Sequence, residues 1–291
     1  MLFHHGLQKK YPDILAVTHN AKSSTAHRQN MDITNPDYLH HAQIIIEKLM
    51  EQVKDYDCVI GFQLDNETKP YDTCSKYAQA KFVEYLKNEF PDIDEFNREF
   101  GLDYWSNRVD DWDAFPDIRG TINMSLDAEY KKFQRKLVTD FFAWQADIVK
   151  KYKRDDQFIT HNFDFEWHDY SYGMQPEVNQ YEAAKCMDIA GCDIYHPSQS
   201  SLERPRDYRL RNIARGIKGD NYLVLETEAA GNHPWLPYPG QLRLQAISHI
   251  ANGADMVEYW HWHSIHNAIE SYWKGVLSHD LRPNRLYKEC S

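Results

Sequence analysis

The chain has 291 residues, 42% hydrophobic and 26% charged, enough for one large domain or two small ones with a substantial core. Its formal net charge of -11 argues against nucleic acid and against an anionic membrane surface, both of which select basic proteins. There is no run of roughly 18 apolar residues to span a bilayer. The N-terminus, Met1 to Lys10, has no apolar signal-peptide core. The 5 cysteines are odd in number and form no CxxC pair. Cys58 and Cys192 sit in apolar, strand-like runs and are expected as buried free thiols, which fits a reducing, cytoplasmic compartment.

In chain order, the first strong element is a helix over Pro36–Val53, with Asn35 as N-cap, Pro36 at the first helical position and Ile44, Ile45, Leu49 and Val53 on one face. A strand follows at Cys58–Leu64. Ser75–Glu89 and Ile93–Phe100 read as two helices split by Pro91. Ser125–Lys151 is a long amphipathic helix with Phe133, Leu137, Phe141 and Trp144 at helical spacing. Strands follow at Phe158–His161, Met187–Tyr195 and Tyr222–Glu226, then a helix at Gln241–Asn252 ended near Gly253, and a strand at Met256–Trp260. Short apolar strands alternating with helices predict a parallel α/β sheet of (β/α)8 TIM-barrel type. The count is about five strand–helix units, against the eight of a closed barrel. No linker or repeat divides the chain.

Two acids close buried strands. Glu67 ends Gly61-Phe62-Gln63-Leu64-Asp65-Asn66-Glu67, and Glu226 ends Tyr222-Leu223-Val224-Leu225-Glu226. In a parallel barrel that is the rim where chemistry sits, and a pair of carboxylates there is what glycoside hydrolysis requires. The plainer alternative for each is a charged residue opening a solvated loop. Asn66 adds an amide suited to a sugar 2-hydroxyl. Glu228 lies further along and is the less favoured nucleophile. Other polar candidates that follow or lie in strand-like runs are His161-Asn162, Asp193, Tyr195, and the pair His261 and His263. Two histidines at i, i+2 with no third ligand in view are more often structural than metal-binding.

These segments resemble glycoside hydrolase family 42, the β-galactosidases. Gly61 to Glu67 is similar to the family's acid/base strand. Leu225-Glu226, Trp235, Gly253-Ala254-Asp255, Tyr259-Trp260 and Gly275 to Asp280 are similar to its nucleophile strand and last barrel unit. Tyr104-Trp105-Ser106, Thr160 to Phe163 and Asp193-Ile194-Tyr195 match in the same order. The resemblance implies Glu67 as general acid/base and Glu226 as nucleophile of a retaining mechanism on terminal β-D-galactosides. Their carboxyls would lie roughly 5–5.5 Å apart. It implies Asn66 near the 2-hydroxyl, Trp105, Trp235 and Trp260 around the sugar, Glu270 on its far hydroxyls, and Arg28 as the sugar-binding arginine.

The chain departs from the family in three ways. Many members carry a cysteine cluster for a structural zinc; here Asp32 stands near the first ligand position and the stretch just after Glu67 holds only Cys74, so neither zinc nor another cofactor is expected. Trp273 replaces a usual sugar-contacting His. The resemblance spans residues 1–291 as a partial barrel, beginning after the family's third strand, without the trimerisation and C-terminal domains. The expected partner is a β-galactoside oligosaccharide or lactose-like substrate, with a homo-oligomer or a complementing N-terminal segment as protein partner. Two other readings stand beside this one: an inactive or carbohydrate-binding remnant, and the same site acting on α-L-arabinopyranosides or β-D-fucosides.

Overall fold

A computed structural model describes residues 5–20, 30–164, 177–195, 205–231 and 236–291. The described residues form two compact units interleaved in sequence. One draws on Met1–Cys58, Thr68–Arg154 and Gly173–Asn179, the other on Val59–Glu67, Asp155–Tyr172 and Gln180–Ser291.

The first unit is helical. It holds α1 (His5–Lys10), α2 (Pro36–Val53), α3 (Lys76–Glu89), α4 (Ile93–Glu99) and α5 (Met124–Lys150). Each of the last four starts where a side-chain oxygen takes an otherwise orphaned N–H: Asn35 from Tyr38, Ser75 from Ala78, Asp92 from Asp94, and Asn123 from Leu126. Of the stripe its spacing predicts on α5, Phe133, Leu137 and Phe141 are buried and Trp144 is half-buried. Phe82 of α3 packs edge-on against Tyr130 of α5 at 4.8 Å between centroids.

The face expected for α2 is corrected. Tyr38, Ala42 and Met50 point inward, and Tyr38 stacks on Phe141. Ile44, Ile45 and Leu49 stand exposed. Two apolar stripes compete on this helix, and the aromatic face of α5 selects the one that carries Tyr38.

The second unit is built on parallel strands: β1 (Gly61–Gln63), β2 (Phe158–Thr160), β3 (Asn162–Asp164), β4 (Ala190–Asp193), β5 (Tyr222–Glu228) and β6 (Ala254–Trp260). β1 pairs with β2, and β3, β4, β5 and β6 pair in that order. Only His161 separates β2 from β3. Asp188 and Ile189, just before β4, donate to the Ile159 carbonyl of β2. The result is five parallel strand lines in chain order among the described residues, as the sequence count predicts. Between and after them lie α6 (Gln180–Ala183), α7 (Pro205–Lys218), α8 (Gln241–Ala251) and α9 (Arg285–Cys290).

β4 is buried along its whole length, and Ile159, Phe163, Ile194, Tyr222 and Val224 fill the core around it. Gly191 is required there: a Cβ would lie 2.4 Å from Leu225 Cδ1 and 2.6 Å from the His161 carbonyl oxygen. Further corrections concern the ends of elements. Cys58 lies outside β1 and is exposed, whereas Cys192 is buried as expected. β5 continues through Glu228, which is therefore buried strand rather than loop. α7 is absent from the sequence reading because its run of arginines obscures the apolar spacing.

Candidate active site

Glu67, in the turn after β1, Asp193, at the end of β4, and Glu226, near the end of β5, each bring one carboxylate oxygen within 4.8 Å of the other two. Parallel order brings this about. β1, β2–β3, β4 and β5 are neighbours running the same way, so their C-terminal ends meet on one rim.

Asn162, fully buried at the start of β3, organises the cluster. Its side-chain NH2 faces Asp193 Oδ2 at 2.8 Å, Asn66 Oδ1 at 3.0 Å and Glu226 Oε1 at 3.2 Å. Its Oδ1 accepts from the Glu67 backbone N–H at 3.1 Å and from Gln63 Nε2 at 3.0 Å. One amide thus ties both sequence-predicted acids to a single point. The other oxygen of Glu226, Oε2, accepts from the Tyr195 hydroxyl at 2.9 Å, and the Tyr195 ring packs against Trp273 at 5.2 Å.

The turn that presents Glu67 is strained. Asp65 and Glu67 have φ of 47° and 41°, left-handed values that cost non-glycine residues free energy. The Asn162 acceptor and a bond from Gln63 Nε2 to the Asp65 carbonyl, 2.9 Å, hold that conformation. Strain held in place at an acid on a strand end is a mark of a functional position.

Electrostatics single out Asp193. Burial raises its pKa well above the ordinary carboxylate value, and the charges of Glu226 and Glu67 raise it further. Tyr195 is pushed upward by burial and then by Glu226, and stays a neutral hydrogen-bond donor. His161 has a different role. It is buried, its Nδ1 lies 2.5 Å from the Leu64 carbonyl, and burial lowers its pKa to about 4, so it is a neutral core side chain joining the strands.

The remaining predicted residues fall as follows. Asn66 is in the cluster. Trp260 ends β6 beside His261, with ring centroids 5.0 Å apart. Glu270 is half-buried in the segment after β6, and its charge acts on His261. Trp105 belongs to the helical unit, 74% exposed on a short turn. Arg28 and Trp235 lie outside the described residues. Among the described residues, His261 and His263 gather no third metal-ligating atom. The sequence points to Asn162, Asp193 and Tyr195 only as polar residues in or after apolar runs; nothing in it reveals that Asn162 bonds to both acids.

Strand lines that pair in chain order, all parallel and alternating with helices, place this chain in the (β/α)8 barrel class, with part of the barrel present. The model of the family Glyco_hydro_42, described as beta-galactosidase, matches residues 4–291, and the chain belongs to that family. Beta-galactosidase BgaA of Clostridium cellulovorans is 25% identical over 97% of this chain and 43% of its own length. Beta-galactosidase LacZ of Lactobacillus acidophilus is 26% identical, with the same shares covered. The crystal structure of beta-galactosidase from Bacillus circulans sp. alkalophilus superposes with a TM-score of 0.85 at 25% identity, over 99% of this chain and 43% of that one. Gan42B, a GH42 beta-galactosidase from G. stearothermophilus, has a TM-score of 0.87 at 23% identity, over 99% and 44%. The chain spans less than half the length of these relatives.

Proposed function

We propose that this site hydrolyses terminal β-D-galactosides with retention of configuration. The observation that carries the reading is the close approach of the two acids: one carboxylate oxygen of Glu67 lies within 4.8 Å of one of Glu226. Retaining glycosidases hold their carboxyls about 5–5.5 Å apart, whereas inverting enzymes leave roughly 6.5–9.5 Å for a water. Family membership and the names of the relatives support the choice of galactoside.

In this reading Glu226 attacks the anomeric carbon. Its two oxygens are fixed by Asn162 and Tyr195, which aim one lone pair and leave no freedom to rotate. Glu67 protonates the departing glycosidic oxygen, then takes a proton from the water that releases the sugar. Asn66, oriented by Asn162, meets the 2-hydroxyl. Trp260 and Glu270 contact the sugar from the segment at and after β6. The free cysteines fit a cytoplasmic enzyme. No described helix is long and apolar enough to cross a membrane.

One observation favours an assembly with a further polypeptide segment. Ile60 beside β1 and Leu244, Ile247 and Ile250 on α8 are each more than half exposed. Such side chains suit a complementing segment or a second copy.

The test is Glu226→Ala with a nitrophenyl β-galactoside. Turnover should vanish and azide should restore part of it as the α-galactosyl azide, the inverted product expected once the nucleophile is gone. Undiminished turnover in this variant refutes the assignment. Proton NMR of the first product from the unmutated protein should show the β-anomer, and an α-anomer would refute retention.

A further inference from the structure

We propose that Asp193 is a positioning residue for the hydrolysis described above, anchoring the Asn162 amide and, through it, both Glu226 and the turn of Glu67. This rests on the roles given to the two glutamates, which leave a third carboxyl on the same rim without a task.

The strands pair irregularly to put that carboxyl in place. Along β4 and β5, Gly191 pairs with Leu223 and Cys192 with Val224, but Asp193 pairs with Glu226. Leu225 is left over, and the extra residue brings the nucleophile, rather than an apolar side chain, across from Asp193. Irregularities of this kind re-aim side chains beside active sites. On its other side Asp193 pairs with Asp164 of β3.

Asp193 is 5% exposed, too deep to meet a glycosidic oxygen, so it acts through a neighbour. That neighbour is Asn162. An amide NH2 carries two hydrogens, yet three oxygens stand within 3.2 Å of this one. The contact to Asp193 Oδ2, 2.8 Å, is the shortest and commits one hydrogen. The other serves Asn66 Oδ1 and Glu226 Oε1. The same contact fixes which way round the amide lies, leaving its Oδ1 to accept from the Glu67 N–H and from Gln63 Nε2.

The anchor is neutral. The titratable groups around Asp193 are Glu67 in the turn after β1, Asp164 on β3, Cys192 on β4, Tyr195 just beyond it and Glu226 on β5, every one an acid. Asp193 Oδ1 has no hydrogen-bond partner among the described residues, whereas Glu226 has a donor on each oxygen. Negative charge is therefore better held on Glu226, and burial beside two acids keeps the proton on Asp193. Double displacement moves one negative charge from Glu226 to Glu67 as the glycosyl ester forms, and back as it is cleaved. With Asp193 neutral the rim carries that single charge throughout. A charged Asp193 about 5 Å away would raise the midpoint of Glu67 by about two pH units and hold back its release of the proton.

The experiment compares Asp193→Ala and Asp193→Asn in the full chain, with a nitrophenyl β-galactoside as substrate. Asp193→Ala should lower kcat at least about tenfold with KM changed less than about threefold. Asp193→Asn should recover part of that loss, because its amide oxygen still accepts from Asn162. The alkaline midpoint of kcat/KM, which reports the acid/base, should stay within about half a pH unit in Asp193→Asn. A kcat within about twofold in Asp193→Ala would overturn the proposal, and so would a midpoint lowered by more than about one pH unit in Asp193→Asn.

Two further measurements need no turnover. The infrared carbonyl band of neutral carboxylic acid at neutral pH should be weaker in Asp193→Asn than in the unmutated protein. The loss of Tm in the double variant Asp193→Ala, Asn162→Ala should be smaller than the sum of the single losses, as for residues in direct contact. A band untouched by Asp193→Asn, or additive losses of Tm, refutes the anchor even in an active galactosidase. Turnover that survives Glu226→Ala refutes the galactosidase reading instead, and the band and the Tm comparison still decide on Asp193.

Discussion

At the residue scale, Asn162 has the most distributed role in the candidate site. Its amide reaches the Glu67 backbone, the Glu226 carboxylate, Asp193 and Asn66. Its replacement by Ala removes donors fixed in advance and releases a strained turn at Glu67. We expect kcat on a nitrophenyl galactoside to fall about a hundredfold or more, the scale for losing one preorganised donor, with a smaller change in KM. A kcat within twofold of the unmutated protein would show that the two acids hold their places without it.

His161 governs a different property. Its folded-state pKa is about 4, depressed from 6.5 by burial. The unfolded chain therefore binds more protons between those values, and stability falls as pH drops from 6.5 towards 4. This one group should remove about 2 kcal/mol between pH 7 and pH 5. Urea unfolding at both pH values, on the unmutated protein and on His161→Gln, measures it. The variant should lose less on acidification, and an equal loss in both would exclude His161 as the source.

At the scale of elements, the parallel strands are packed as closely as the backbone permits. Gly191 on β4 faces Leu225 of β5 and the His161 carbonyl with no room for a methyl group. Gly191→Ala should cost about 1–3 kcal/mol by overpacking and lower Tm by several degrees. Because Asp193 lies two residues on, activity should fall along with stability. Differential scanning calorimetry with kinetics on the same sample tests both; an unchanged Tm would mean that the strands move apart freely.

The elements are also where sequence and structure can be compared most directly. Pro36–Val53 was fully legible, because Asn35 and Pro36 mark its start through local hydrogen bonding. Its buried face was not. The apolar residues Ile44, Ile45 and Leu49 satisfy helical spacing as well as Tyr38, Ala42 and Met50 do, and packing against α5 decides between them. Strand interiors were legible from apolar runs, but strand ends were not. Cys58 and Glu228 were misplaced because extension past a run depends on the neighbouring strand's hydrogen bonds.

At the scale of the whole molecule, the exposed apolar side chains stand out. On α8, Leu244, Ile247 and Ile250 share one side of the helix at spacing i, i+3, i+6 and are each more than half exposed. Such a stripe promotes association. Analytical ultracentrifugation should detect concentration-dependent self-association at micromolar protein. The triple change Leu244→Gln, Ile247→Gln, Ile250→Gln should reduce it while leaving the far-UV circular dichroism unaltered. A monomer before and after the change would show that this stripe does not mediate contact.

The sequence by itself determined the alternation of strands and helices, the α/β class, and the two acids at strand ends. Those features rest on local periodicity, capping and burial of short apolar runs, which act over a few residues at a time. Tertiary structure decided what brings the acids together. Glu67, Asn162, Asp193 and Glu226 are up to 159 positions apart (226 − 67), and only parallel pairing in chain order puts their strand ends on one rim. No local spacing encodes a hydrogen bond between distant segments; such contacts exist only once the chain has closed the loops between them.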